Sequence, residues 1–157
     1  MLFRSRVERA TSLLDQRHRA VLSGWWQLGK RWSFGGVSSL ASGRPFNATT
    51  GVDNNGDGSG ADRPVVGGQL LGRNVGRGTP TYDVEMFVER EFAIAADRAR
   101  LTFRAEAFNA FNHSNIVGRN AVWGNGEAPL PSFGQALGGI NNVEPGREFQ
   151  FLLRVKF

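Results

Sequence analysis

The feature that most constrains this chain is the alternation of its last residues. From Arg147 to Phe157, the side chains Phe149, Phe151, Leu153, Val155 and Phe157 fall at every second position. Glu148, Gln150, Arg154 and Lys156 fill the places between them, and Leu152 is the exception. A repeat of two belongs to an extended strand, whose successive side chains point to opposite faces. A helix turns about 100° per residue and would scatter the same apolar set around its axis. The segment therefore implies a sheet with one apolar and one polar face, and the apolar face requires either a protein core or lipid to cover it.

The pattern recurs upstream. Ala20, Leu22, Gly24, Trp26 and Leu28 alternate with Arg19, Val21, Ser23, Trp25 and Gln27. A second strand is expected over 32–42, with Phe34, Val37 and Leu40. A third is expected over 82–92, with Val84, Met86, Val88 and Phe92 on one face and Asp83, Glu85, Glu89 and Glu91 on the other; Arg90 breaks the apolar set near its end. A fourth is expected over 100–111, where Leu101, Phe103, Ala105 and Ala107 oppose Thr102, Arg104 and Glu106. The tail is the fifth. Residues 1–17 are polar, with a short helix-compatible patch at Leu13 and Leu14.

The connections carry more information than the strands. They alternate short (29–31), long (43–80), short (93–99) and long (112–146). Outer-membrane barrels have short periplasmic turns and long extracellular loops. With Phe157 at the periplasmic end, all four connections fall on the side their length requires. Trp25, Trp26, Trp32 and Phe92 then lie toward the periplasmic ends, and Tyr82, Phe111 and Phe149 toward the outer ends. Aromatic rings gather at both membrane interfaces in such barrels. The expected fold is all-β: an antiparallel transmembrane β-barrel segment of about five strands in a meander, with two long extracellular loops, in the outer membrane of a Gram-negative cell. A soluble antiparallel sandwich also alternates, but it does not account for the loop lengths, the aromatic positions and the Phe terminus together.

Composition narrows the alternatives. The 21 glycines follow no collagen-like period and mark turns, bulges and loops. There is no cysteine, hence no disulfide frame and no thiolate metal site. The net charge is +5, and Lys30 and Lys156 are the only lysines. That balance raises a soluble, basic, nucleic-acid-binding β-domain as an alternative, but the basic residues are dispersed among acidic ones, and no nucleic-acid partner is expected. No segment reaches the ~20 apolar residues of a membrane helix. Met1-Leu2-Phe3-Arg4 leads into charged residues rather than an apolar leader. The expectation is that residues 1–157 are the C-terminal part of a longer barrel.

Several runs carry a family resemblance. They are Asp15-Gln16-Arg17-His18-Arg19, Ser42-Gly43-Arg44-Pro45-Phe46-Asn47, Asp53-Asn54-Asn55-Gly56-Asp57-Gly58, Asp62-Arg63-Pro64, Arg73-Asn74 with Gly76-Arg77-Gly78, Glu106-Ala107-Phe108-Asn109-Ala110-Phe111-Asn112, and the Phe157 terminus. In this order the chain resembles the C-terminal barrel of TonB-dependent outer-membrane receptors, of the Oar-like branch with a carboxypeptidase-regulatory-like N-terminal domain. The resemblance implies a plugged 22-stranded barrel that takes up scarce ligands, with plug, TonB box and leader outside these residues. The implied partners are outer-membrane lipid and lipopolysaccharide, the barrel assembly machinery, and the TonB system through the upstream regions. A structural or adhesive outer-membrane barrel with calcium-stabilised surface loops is the second reading.

Candidate sites are few. Asp53-x-Asn55-x-Asp57-Gly58 matches the first half of a calcium loop, with oxygen side chains at alternate positions and a Gly for the sharp turn. Pro64 stands where the bidentate Glu belongs, and Asp62 is the substitute. Asp53, Asn55, Asp57 and Asp62 are thus the expected metal donors, and Ca2+ is the only candidate cofactor. Arg44 and Arg63 could meet lipopolysaccharide phosphates from the outer loops. His18 and His113 lie far apart in sequence, no nucleophile–base set or phosphate loop is present, and no enzyme activity is expected. Phe149, Phe151, Leu153, Val155 and Phe157 form the expected assembly signal, with Phe157 as its key residue. Replacing Phe157 by Ala should lower outer-membrane insertion of the full-length protein; unchanged surface exposure of that variant in whole cells would remove the role.

Overall fold

Alternating residues make strands only where a neighbour completes the main-chain hydrogen bonds, and here the neighbours are consecutive in sequence. The computed structural model describes residues 8–94, 98–138 and 143–157. In chain order the strands are β1 (Arg19–Leu28), β2 (Trp32–Ala41), β3 (Pro45–Phe46), β4 (Val65–Val66), β5 (Gln69–Leu70), β6 (Gly76–Arg77), β7 (Thr81–Ile94), β8 (Ala99–Phe108) and β9 (Glu148–Lys156). Among the described residues there is no helix, and the Leu13–Leu14 patch forms a turn. Five strands form one antiparallel sheet in the order β1-β2-β7-β8-β9, as expected for an all-β meander.

The chain divides into two compact units. The sheet unit comprises residues 18–41, 81–115 and 145–157; the loop unit comprises 1–17, 42–80 and 116–144.

Register assigns each side chain to a face. Trp26 pairs with Phe34, Phe34 with Val88, Val88 with Ala105, and Ala105 with Phe151, so one apolar row crosses all five strands. The next row on that face runs through Gly24, Gly36, Met86, Ala107 and Phe149. The opposite face carries Asp83, Glu85, Glu89, Glu91, Arg104 and Glu106, together with Leu152, which pairs with Arg104. The two exceptions read from the sequence, Arg90 and Leu152, lie on the faces expected of them.

The apolar face is uncovered. Leu22 is 69 % exposed, Trp26 66 %, Phe151 68 % and Leu153 68 %. Among the described residues the buried apolar side chains are few and small: Ala48, Ala99, Pro45 and Pro64. Fully burying one large apolar side chain is worth roughly 1.5–3 kcal/mol, so a soluble domain would fold such a face inward. The inversion of the usual core fits a sheet whose solvent on that side is lipid.

Where the strands end departs from the sequence reading in three places, each for a local reason. Strand β8 stops at Phe108 rather than Phe111 because Asn109 takes a left-handed conformation (φ 45°). Asn109 is buried; its Nδ2 donates to the carbonyls of His113 and Pro145 at 2.9 and 3.1 Å, and its Oδ1 accepts from His113 N–H at 2.9 Å. Asn112, also left-handed (φ 54°), accepts from Arg147 N–H at 3.0 Å just before β9. Strand β7 runs on to Ile94, shortening the turn before β8; Asp97 of that turn lies outside the described residues. The stretch 43–80 is not wholly irregular, because β3 pairs with β6 and β4 with β5.

At the loop end of β7 a side chain does the work of a strand. Asn115 is 1 % exposed; its Oδ1 accepts from Tyr82 N–H at 2.8 Å and its Nδ2 donates to Tyr82 C=O at 3.0 Å. Tyr82 also stacks on Phe111 at 6.0 Å. Asn115→Leu would leave both peptide groups of Tyr82 without this partner. A loss of about 1–3 kcal/mol is expected for such unpaired buried groups, read as a lower urea midpoint of the folded protein in bilayers; an unchanged midpoint would show that another group takes over.

Candidate functional site

The polar face of the sheet is built from charges whose spacing the register dictates. Glu89 stands opposite Arg104, and Glu106 is two residues further along the same strand face. The Arg104 guanidinium donates to Glu106 through Nε and Nη2, each at 2.6 Å, and reaches Glu89 at 3.7 Å. It also lies over the Phe87 ring, 3.7 Å from the centroid. Phe87 can occupy that place because its register partner is Gly35: a Cβ there would come within 2.4 Å of the ring. Toward the short-turn end, Arg100 pairs with Glu91. All of these groups are partly exposed, Arg100 the most, so each ion pair alone stabilises weakly; the value lies in the network that Arg104 joins to Glu89 and Glu106. Of the carboxylates singled out in the sequence, Glu89, Glu91 and Glu106 are drawn to arginines, an arrangement that lines a polar wall.

A concavity of about 510 Å³ opens on this face, lined by Ser23, Trp25, Val37, Glu85, Phe87, Arg104 and Glu106 among others. Trp25 pairs with Gly35 and belongs to this polar side, whereas Trp26, Trp32 and Phe92 sit on the apolar one. Trp25 is therefore no part of a lipid-facing aromatic belt, which corrects the sequence expectation.

The loop unit is held by polar contacts. Asp53 Oδ2 accepts from Gly58 N–H at 2.8 Å, and its Oδ1 accepts from Gly56 and Asp57 N–H at 2.7 and 3.1 Å. The Gly58 amide foremost, with those of Gly56, Asp57 and Asn55, holds the Asp53 carboxyl below its ordinary range against the opposing effect of desolvation. Asp62 accepts from the amides of Asn54 and Asn55 at 2.7 and 3.1 Å, and the Asn55 side chain donates to Asp57 and Asp62 at 3.0 and 2.8 Å. The four expected donors Asp53, Asn55, Asp57 and Asp62 do come together, in a turn closed by their own hydrogen bonds. Among the described residues, no group of three or more His, Cys, Asp or Glu side chains is disposed to hold a metal ion.

The two long loops are tied to each other. Thr49 N–H donates to Ala121 C=O at 2.9 Å, Trp123 N–H to Thr49 C=O at 2.8 Å, and Gly67 N–H to Glu127 at 2.7 Å. Phe133 packs against both Phe46 (5.6 Å) and Trp123 (5.1 Å). The segment before β1 joins them: Glu8 pairs with Arg63 and Arg73, and Asp15 with Arg77. Arg63 is therefore largely covered and also donates to Leu71 C=O at 3.2 Å, so of the two arginines expected to meet lipopolysaccharide only Arg44 is exposed. A polar pocket of about 470 Å³ is lined by Asn47, Asn55, Asp57, Asp62, Arg63 and Arg73 among others. Sequence reasoning missed Asn109, Asn115 and Glu8. The repeated Phe-Asn of 108–112 was a usable signal for the first; the others form contacts tens of residues away and left none.

The lowered Asp53 carboxyl gives a pH test. A group whose folded value is depressed contributes stability above its unfolded value, and that stability is lost as pH falls through the folded one. The 53–58 turn should therefore stay closed where ordinary carboxylates are already half protonated, and open only in stronger acid. Hydrogen exchange of the full-length protein would show this as persistent protection of Gly56, Asp57 and Gly58. Asp53→Ala should abolish the protection at neutral pH; retained protection would mean that Asp53 does not build the turn.

The comparison with known families meets this geometry. Residues 68–150 match the family model of an outer membrane beta barrel domain, covering β7, β8 and the start of β9. No curated protein matches the chain, and no solved structure matches it. With an uncovered apolar face on an antiparallel sheet and more than half its length within that family model, the chain belongs to the outer membrane beta barrel domain family and resides in the outer membrane.

Proposed function

We propose that this barrel is a TonB-dependent receptor of the Oar-like kind, and that the present strands form part of the wall through which it takes up its ligand. The observation that carries the reading is the contrast between the two ends of the sheet. Strands β1–β2 and β7–β8 are joined by the short connections 29–31 and 95–98, while the opposite ends lead into 42–80 and 109–147. The residues of these long connections make a hydrogen-bonded surface with a polar pocket, as a receptor for a polar ligand needs. The strands of the sheet unit present a charged wall of their own.

Strand parity supports a wall completed by further strands. β1 and β9 run the same way, each separated from β7 by one strand, so they cannot close on each other antiparallel. An even-numbered antiparallel barrel then needs an odd number of strands beyond these five. The partners this reading assigns are outer-membrane lipid and lipopolysaccharide, the barrel assembly machinery acting on the β9 alternation, and the TonB system acting elsewhere in the protein. No catalytic role is assigned.

A second reading is favoured by the internal closure of the loop unit: a self-bonded surface platform would serve adhesion or envelope organisation without transport. Binding of the purified periplasmic domain of TonB to the detergent-solubilised full-length protein separates the two. Saturable complex formation is expected. Its absence with folded protein would sink the transport reading and leave the surface-organising one.

A further inference from the structure

One cation interrupts the apolar face. Arg90 shares its register row with Trp32, the first residue of β2, and with Phe103. Its guanidinium carbon lies 4.7 Å from the Trp32 ring centroid and 4.6 Å from that of Phe92, and both rings belong to the same face. Its Nε is buried with no hydrogen-bond partner, and among the described residues no carboxylate pairs with it. At the bilayer midplane an outward arginine on a barrel costs about 2–4 kcal/mol, falling to about 0–1 near the interfaces. The row of Trp32, next to the 29–31 turn, is an interfacial depth, and the guanidinium carbon lies close to both rings.

The surroundings select that acceptor. Both lysines of the chain lie at this same end of the sheet, Lys30 in the first turn and Lys156 at the end of β9. Arg31, Arg98 and Arg100 are there as well; Arg100 is offset by Glu91, and the sequence sets Asp97 beside Arg98, so the balance at this end stays positive. A planar guanidinium matches two phosphate oxygens, and a rim of cations draws anionic headgroups. We infer that Arg90, clamped between Trp32 and Phe92, is a binding site for the phosphate of an anionic phospholipid in the periplasmic leaflet, with the basic rim of the sheet raising the local concentration of such lipids. The site rests on the outer-membrane assignment and is independent of whether the barrel transports a ligand.

The test uses the full-length folded protein in maltoside micelles, which contain no phosphate. The heat-dependent gel shift is recorded after addition of phosphatidylglycerol, phosphatidylcholine or inorganic phosphate. Phosphatidylglycerol should raise the unfolding temperature more than phosphatidylcholine, and inorganic phosphate should leave it unchanged. Arg90→Gln should lose at least about half of the phosphatidylglycerol shift, since only the rim cations remain. Arg90→Lys, which keeps the charge but not the fork, should retain an intermediate share. An Arg90→Gln protein with the full shift overturns the site, as does an equal shift from inorganic phosphate. Should Arg90→Gln not fold, wild-type protein serves: molar salt, with a screening length of about 3 Å, should cut the shift strongly, and a salt-independent shift overturns the inference.

Discussion

Backbone hydrogen bonding in the absence of water is the constraint from which the rest of this structure follows. In hydrocarbon an unpaired N–H or C=O costs several kcal/mol, so a strand survives there only with partners on both sides. The register supplies those partners on both sides of β2, β7 and β8 and on one side of the edge strands β1 and β9, from Trp26 and Phe34 across to Ala105 and Phe151. Once the strands are paired, alternation does the sorting. Every second side chain meets lipid and must be apolar or small, and those between can be charged. The near absence of a buried hydrophobic core among the described residues is the consequence.

The same constraint explains why side chains take over where strands end. At the loop end of β7 the ladder runs out of neighbours, and the amide of Asn115 pairs with both groups of Tyr82. Past Phe108, Asn109 turns the chain and bonds the segments leading away from β8 and into β9. Asn suits both tasks: its carboxamide has the donor and acceptor of a peptide, and it tolerates the left-handed conformation. On the polar face Arg104 joins β7 and β8 through Glu89 and Phe87, with room that Gly35 leaves. On the apolar face the Arg90 guanidinium lies against two rings, and its Nε stays without a hydrogen-bond partner.

The loop unit follows different physics. It is organised by Asx-type hydrogen bonds, ion pairs to Glu8 and Asp15, and a small aromatic cluster. The Asp53–Asp62 segment shows how one composition serves two chemistries. The alternate oxygen side chains that suggest a cation are the groups that close a Gly-rich turn by accepting amides. In this structure the amides are what they bind.

By itself the sequence determined the five long strands, their faces, the misfit residues Arg90 and Leu152, and the alternation of short and long connections. These are local or periodic properties: a period of two and a run of turn-forming residues are written along the chain and need no partner to be read. The tertiary structure alone decided which residues meet across the gaps. That Phe87 lies over Gly35, that Asn115 completes β7, and that Glu8 holds Arg63 and Arg73 all depend on register and on loop closure. Those contacts join residues up to tens of positions apart, and no periodicity encodes them. They arise only when the hydrogen-bonded ladders fix one strand against the next.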